Sequence, residues 1–201
     1  MKNTRVQKMV MVAMFAAIGL VLQFIAFPIM PVFSFLKIDF SDIPVLISMF
    51  LFGPVAGVAT AFLRSLLHLV TTGFSPDNLV GDVASFLATT IFTLPIFYFF
   101  KQNKKHANRN KILGVVTGTL AMTIFMSIAN YFVITPLYLM FFGLNANQML
   151  GMPLVNYVLI GIVPFNLIKG FIVSAAFLVL HAKLLPWLSR KQHALEQRHT
   201  I

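Results

Sequence analysis

The sequence has no cysteine, which excludes disulfides and thiolate metal sites. It also lacks a Gly-rich phosphate loop ending in Gly-Lys-Ser/Thr, the run whose backbone amides and lysine would hold nucleotide phosphates. A nucleotide-driven motor is therefore not expected on this chain. No Ser/His/Asp set, HExxH motif or paired-carboxylate site stands in a credible context, so an enzyme is not expected either. A zinc site is set aside because His68 has no companion histidine on its helical face. Charged residues are only 10% of the chain, and long stretches contain none.

What is present is apolar. The hydrophobic share is 59% with a mean hydropathy of +0.89, too high for a surface that must face water. At about 20 residues per spanning helix, the chain has room for roughly six helices and little else. We expect an all-α integral membrane protein with a single six-helix domain over residues 1–188, followed by a polar, basic tail at 189–201. The net charge of +10 raises the question of nucleic acid. The basic residues, however, cluster at Lys2, Arg5 and Lys8, at Lys101, Lys104, Lys105, Arg109 and Lys111, and at Lys183, Arg190, Lys191 and Arg198. Long apolar runs separate the clusters, so the positive-inside rule accounts for the charge and nucleic acid is not an expected partner. The run from Met9 to Phe27 is about as long as a full span and reads as a retained first helix rather than a secretory signal.

The remaining apolar segments are Pro44 to Val70, Leu79 to Phe100, Ile112 to about Leu139, and Leu154 to about Leu185. If all three basic clusters face the cytoplasm, an even number of crossings separates the first two, so Pro44 to Val70 must cross twice. Gly53-Pro54 is the expected turn, since proline removes a backbone donor and disfavours helix in the residue before it. The expected topology has six transmembrane helices, cytoplasmic N- and C-termini, and outward connections at Pro28 to Ser41, Thr71 to Asn78, and Tyr138 to about Asn156.

Ionisable or strongly polar residues inside spans are costly and need a partner or a purpose. Asn166 and Lys169 are three apart and share a helical face. Asn130 precedes Tyr131 and Thr135-Pro136. Two readings stand: Asn130, Asn166 and Lys169 line a ligand pocket walled by the first outer loop, or Lys169 pairs with an aspartate and the asparagines cross-link helices. Asp39 and Asp42 sit at the mouth of the second helix, where Asp42 is favoured as an N-cap ahead of Pro44. Arg64 and His68 are expected to be structural. In the first helix, Ala13 and Ala17 make a smooth face that suits close helix approach, whether internal or to a partner. A proton-coupled transporter using Asp82, His68 or Lys169 as a relay, and a non-transporting scaffold, are the competing functions.

Several segments together resemble the substrate-binding (S) components of energy-coupling factor (ECF) vitamin transporters, in particular their riboflavin-specific members. They are Ala13 to Ala17, Lys37-Ile-Asp-Phe-Ser-Asp-Ile-Pro44 leading to Phe52-Gly-Pro54, Asn130-Tyr-Phe-Val-Ile-Thr-Pro-Leu-Tyr138, and Pro164-Phe-Asn-Leu-Ile-Lys-Gly170. The resemblance implies a six-helix subunit of a bacterial cell membrane that captures riboflavin from outside as transported ligand, with no cofactor of its own. It implies docking, through Ala13 and Ala17, on a membrane T component that carries two cytoplasmic ATPases. It also implies flavin contact by Asn130, Asn166 and Lys169, with Asp39 and Phe40 from the loop. Phe40 and Tyr131 adjoin these polar groups and are expected to pack on the flavin ring.

Overall fold

A computed structural model describes residues 5–102 and 107–198, the latter without side chains from 184 onward. Lys2, Lys104 and Lys105 of the basic clusters lie outside the described residues, as do the side chains of Arg190, Lys191 and Arg198. The helices are α1 (Arg5–Phe24), α2 (Asp42–Phe52), α3 (Pro54–Thr72), α4 (Pro76–Lys101), α5 (Ala107–Ala129), α6 (Thr135–Phe142), α7 (Ala146–Leu150), α8 (Leu154–Tyr157) and α9 (Val163–Arg198). α5 runs into α6 through a π turn at Asn130–Ile134, and α8 into α9 through another at Val158–Ile162. Among the described residues, five helical stretches are long and apolar enough to cross a membrane: α1, α3, α4, Ala107–Phe142 and Ala146–Lys183. The sixth helix, α2, is short and apolar. The chain is an all-α, multi-pass membrane protein.

The expected break inside Pro44 to Val70 is present. Gly53 has φ +98, a left-handed conformation that only glycine adopts without steric cost. It donates its N–H to the carbonyl of Met49, closing α2, and Pro54 opens α3. α2 has 11 residues, and every position from Asp42 to Met49 is buried. A helix that is apolar all round is a core helix, and this one forms the centre of the bundle. Its Ile43, Leu46 and Ile47 pack with Ala88, Phe92 and Ile96 of α4, Met122 of α5, and Val173 and Phe177 of α9.

The connections expected to face outward are more ordered than their composition suggests. A two-residue antiparallel ladder, Phe27 opposite Ile38 and Pro28 opposite Lys37 (β1 and β2), closes the first loop around a 3₁₀ turn at Pro31–Phe33. Phe33 is 2% exposed and packs with Leu150, Tyr157, Val158 and Ile162, its ring centroid 5.3 Å from that of Tyr157. The first of these loops is thus seated on the third, where α7 is capped by reciprocal Asn145 and Gln148 hydrogen bonds. The α3–α4 connection is reduced to residues 73–75. At the other end, the backbone of α9 stays helical through Arg198, past the boundary expected at Leu188.

α4 and α5 approach closely at Gly118, where an added Cβ would lie 2.5 Å from the carbonyl oxygen of Phe92. Backbone cannot yield there as a side-chain end can. Gly118→Ala should therefore destabilise the fold by about 1–3 kcal/mol, the usual cost of overpacking, read as a lower melting temperature in detergent. An unchanged melting temperature would show that the two helices can separate without cost.

Candidate functional site

The site begins from a charge problem. Asp42 opens α2 inside the bundle and is 1% exposed, and a buried carboxylate without partners is expensive. Its Oδ1 accepts from Thr89 Oγ1 at 2.5 Å and from Arg64 Nη1 at 3.3 Å. Arg64 is fully buried on α3. It also donates through Nη1 to Ser41 Oγ (2.6 Å) and through Nη2 to Ser85 Oγ and Thr89 Oγ1 (both 3.0 Å). Lys169 of α9 reaches both aspartates: its Nζ is 3.7 Å from Asp39 Oδ2 and 3.7 Å from Asp42 Oδ2. Two cations and two carboxylates balance formally, which is what a low-dielectric setting demands. The N-cap expected at Asp42 is not made. The capping position is Ser41, whose side chain makes no capping hydrogen bond, and Asp42 stands within the first helical turn as the counter-ion.

Asp39 lies in the loop just ahead of α2. Burial works against its carboxylate, yet the Lys169 charge, the Ser41 hydrogen bonds and the Arg64 charge outweigh burial and hold its pKa below the usual carboxylate value. One of those bonds is the Ser41 N–H donating to Asp39 Oδ1 at 2.8 Å. With the folded-state value lowered, the ionised form and its tie to Lys169 are retained above the ordinary carboxylate range. They are lost only as pH falls through the lowered value.

Beside this cluster lies a cavity of about 670 Å³ lined by residues from the first loop and from α1, α3, α4, α5–α6 and α8–α9. Asp39, Asn130, Asn166 and Lys169 all line it. The two asparagines bond in the same way from different places. Asn130 opens one π turn and donates through Nδ2 to Met126 O (2.8 Å), and Asn166 lies within α9, four residues past the other, and donates to Ile162 O (2.8 Å). Each amide is thus held by its own helix, not by a cross-helix bond. In each π turn a backbone N–H reaches five residues back, Thr135 to Asn130 and Val163 to Val158. Pro136 and Pro164 each stand two residues beyond their turn, where a missing N–H already disturbs the regular ladder.

Of the residues expected to contact a ligand, Phe40 and Tyr131 are not brought to the cavity. Phe40 packs against the bundle core and beside Phe27, with ring centroids 6.3 Å apart. Tyr131 is 38% exposed and turned to Phe132. Ala13 and Ala17 are exposed on α1, whereas Ala16 and Gly19 are the small residues that pack inward.

The family model for the ECF transporter substrate-specific component matches residues 7–181. This chain belongs to that family. It is 37% identical to the riboflavin transporter FmnP of Bacillus subtilis (strain 168) over 190 residues, 94% of this chain and 98% of that protein. It is 39% identical to the riboflavin transporter RibU of Staphylococcus aureus (strain TCH60) over 186 residues, 92% and 93% of the two chains. A solved structure described as the S component of a bacterial ECF transporter superposes with a TM-score of 0.74 at 37% identity, covering 92% of this chain and 99% of that one.

As an S component the chain is a substrate-binding transport subunit and not an enzyme, and the proton-coupled and scaffold alternatives give way. The sequence pointed to three of the four polar groups from α5–α6, α9 and the loop by their cost inside spans. It missed the cavity faces of α1, α3 and α4, where Gln23, His68, Asp82 and Ser85 add to the lining. Asp82 and His68 were visible as intramembrane polar residues. Gln23 carried no signal beyond its place at the end of an apolar run.

The charge cluster generates a direct test. Arg64→Met leaves Asp42 with a partner removed in a buried site and should cost about 3–5 kcal/mol. Arg64→Lys should rescue little, because a point ammonium cannot serve Ser41, Ser85 and Thr89 together. Melting temperatures in detergent would measure both, and a lysine variant as stable as wild type would show that the fork geometry is immaterial.

Proposed function

We propose that the chain captures riboflavin from the outer side of a bacterial cell membrane for uptake driven by ATP hydrolysis on partner subunits. The observation that carries this reading is the convergence of Asn130, Asn166, Lys169 and Asp39 on one cavity of about 670 Å³, within the ~300–1,000 Å³ typical of small-molecule sites. An isoalloxazine presents carbonyl and ring-nitrogen acceptors along one edge. The lysine ammonium and the asparagine amides are suitable donors, while apolar wall residues such as Leu36, Met126 and Phe165 suit its benzenoid end. The names of the relatives are consistent with this substrate.

In this reading the bundle crosses six times with α2 as the short second crossing, both chain ends are cytoplasmic, and residues 189–201 form a cytoplasmic tail. The first outer loop is the gate. Its closure is held by the Phe33 contact with Tyr157 and by the Asp39–Lys169 ion pair. Ala13 and Ala17 meet the membrane T component, which carries the two ATPases. Their exposure on α1 supports this, since small residues open to lipid leave room for a close helix contact.

Purified protein should be yellow or should quench added riboflavin fluorescence. A colourless preparation that leaves the fluorescence unchanged refutes the substrate. Lys169→Ala and Asn130→Ala should each weaken binding by at least about 1 kcal/mol, and unchanged titrations would remove both residues from the site. Ala13→Trp and Ala17→Trp should abolish uptake in cells while flavin binding by the purified subunit is retained. Uptake that survives both substitutions would move the partner surface elsewhere.

A further inference from the structure

Lys169 lines the cavity, and its ammonium is held loosely between two carboxylates. Nζ stands 3.7 Å from Asp39 Oδ2 and 3.7 Å from Asp42 Oδ2, both longer than the roughly 2.7–3.2 Å of an N–H···O hydrogen bond. The two carboxylates differ in place. Asp39 lines the cavity beside Lys169, whereas Asp42 is 1% exposed and stands behind the wall. Asp42 therefore pulls the ammonium away from the cavity. The strength of that pull decides how much of the ammonium's donor capacity is left for a ligand.

That strength is set at the other oxygen of Asp42. Oδ1 accepts from Thr89 Oγ1 at 2.5 Å and from Arg64 Nη1 at 3.3 Å, while Oδ2 faces Lys169. The threonine makes the shorter bond, and the direction of its hydroxyl is fixed. Arg64 Nη2 donates to Thr89 Oγ1 at 3.0 Å, and a hydroxyl carries a single proton, which is left for Asp42. A hydroxyl that accepts from a guanidinium is polarised into a better donor, and a bond to an ionised acceptor is of the strong, charge-assisted kind. It holds carboxylate charge at Oδ1 and lessens what Oδ2 presents to Lys169. Thr89 is 2% exposed, and neither it nor Arg64 lines the cavity.

We propose that Thr89 is a positioning residue for the ligand site: acting through Asp42, it keeps the Lys169 ammonium at the cavity wall without itself touching the ligand. This rests on the riboflavin reading, in which Lys169 donates to the flavin, and adds a residue that sets affinity from outside the cavity. Arg64 takes part by orienting the Thr89 proton. Without the hydroxyl, Asp42 Oδ1 is short of a donor in a buried site, and the ammonium 3.7 Å away answers the freed charge. The ammonium then moves toward Asp42 and binding weakens, although every residue that lines the cavity is unchanged.

The test is a double-mutant cycle on the purified full-length chain, read by riboflavin fluorescence quenching. Thr89→Val should weaken riboflavin binding about fivefold in the wild-type background, less than the loss of a whole charge-assisted bond because the ammonium is shifted and not removed. In the Lys169→Ala background the same substitution should change binding less than twofold, since the group it acts on is gone. Thr89→Ser keeps the hydroxyl and should restore wild-type affinity. A merely structural role for Thr89 would weaken binding equally in the two backgrounds. If Thr89→Val does not yield folded protein, Thr89→Ala removes the same hydroxyl with less bulk and decides. Equal losses in the two backgrounds, no loss in either, or a Thr89→Ser variant as weak as Thr89→Val overturn the positioning role and leave the riboflavin reading intact. Wild-type protein that binds no riboflavin overturns that reading, and the positioning role with it.

Discussion

Asp42 is the residue on which the rest of the arrangement depends. A carboxylate at the start of a helix that begins inside a bilayer protein must be neutralised, and one partner does not suffice. Its two oxygens are divided between α3 with α4 on one side, through Arg64 and Thr89, and α9 on the other, through Lys169. Four helices are thereby tied at one level. The energetics of such a cluster lie less in what it adds than in what any single deletion would leave behind, because removing one member strands another charge where water cannot reach it. Arg64 is suited to its place because its planar fork serves three hydroxyls and a carboxylate at once.

Two members of the same cluster, Asp39 and Lys169, also line the cavity. Asp39 and Asp42 are three residues apart, one in the loop and one in the helix, and Lys169 spans both. The loop that covers the cavity is therefore attached to the core through charge as well as through the apolar seat of Phe33. An apolar contact of that kind holds a loop in place without specifying its approach, whereas the ion pair and the Ser41 N–H bond to Asp39 set its register. The walls are shaped by the two π turns. A π turn adds a residue to the helical circuit and rotates the next stretch of helix about its axis, and such turns recur at functional sites. Here the first opens with Asn130 and the second leads into the stretch of α9 that carries Asn166, and each amide is held by a carbonyl four residues back.

Much of this was legible in the residues. The spans are set by apolar length, the α2–α3 hairpin by Gly53-Pro54 together with the spacing of basic clusters, and the shared face of Asn166 and Lys169 by a separation of three. Asp42 was not legible. Serine, aspartate and proline near a helix start carry the same local signal whether the carboxylate caps the helix or answers an arginine 22 residues later, and only tertiary packing decides between them. Tyr131 is turned from the cavity for a related reason, since adjacency to a polar residue places a neighbour about 100° away around a helix. Phe40 stands in the loop ahead of α2 and is taken up by packing against the bundle core. The π turns left a trace in Pro136 and Pro164, but a proline in a span is equally consistent with a simple kink.

Helix α1 shows how one element can serve two surfaces. Its small residues separate by face: Ala16 and Gly19 point inward, Ala13 and Ala17 outward. At Gly19 an added Cβ would stand 3.2 Å from Arg64 Cδ and 3.5 Å from the carbonyl oxygen of Ser41. The inward face therefore lies beside the arginine that anchors Asp42 and beside the backbone at Ser41 that joins the first loop to α2. The outward alanines lie on the far side of the same turns, so the surface available to a partner helix and the Arg64–Asp42 cluster are separated by the thickness of a single helix, about 10 Å. Contiguity alone does not amount to signal transmission. It does mean that any side chain larger than glycine at position 19 would press on the Arg64 side chain, so the inward face of α1 is fitted to the arginine that anchors Asp42.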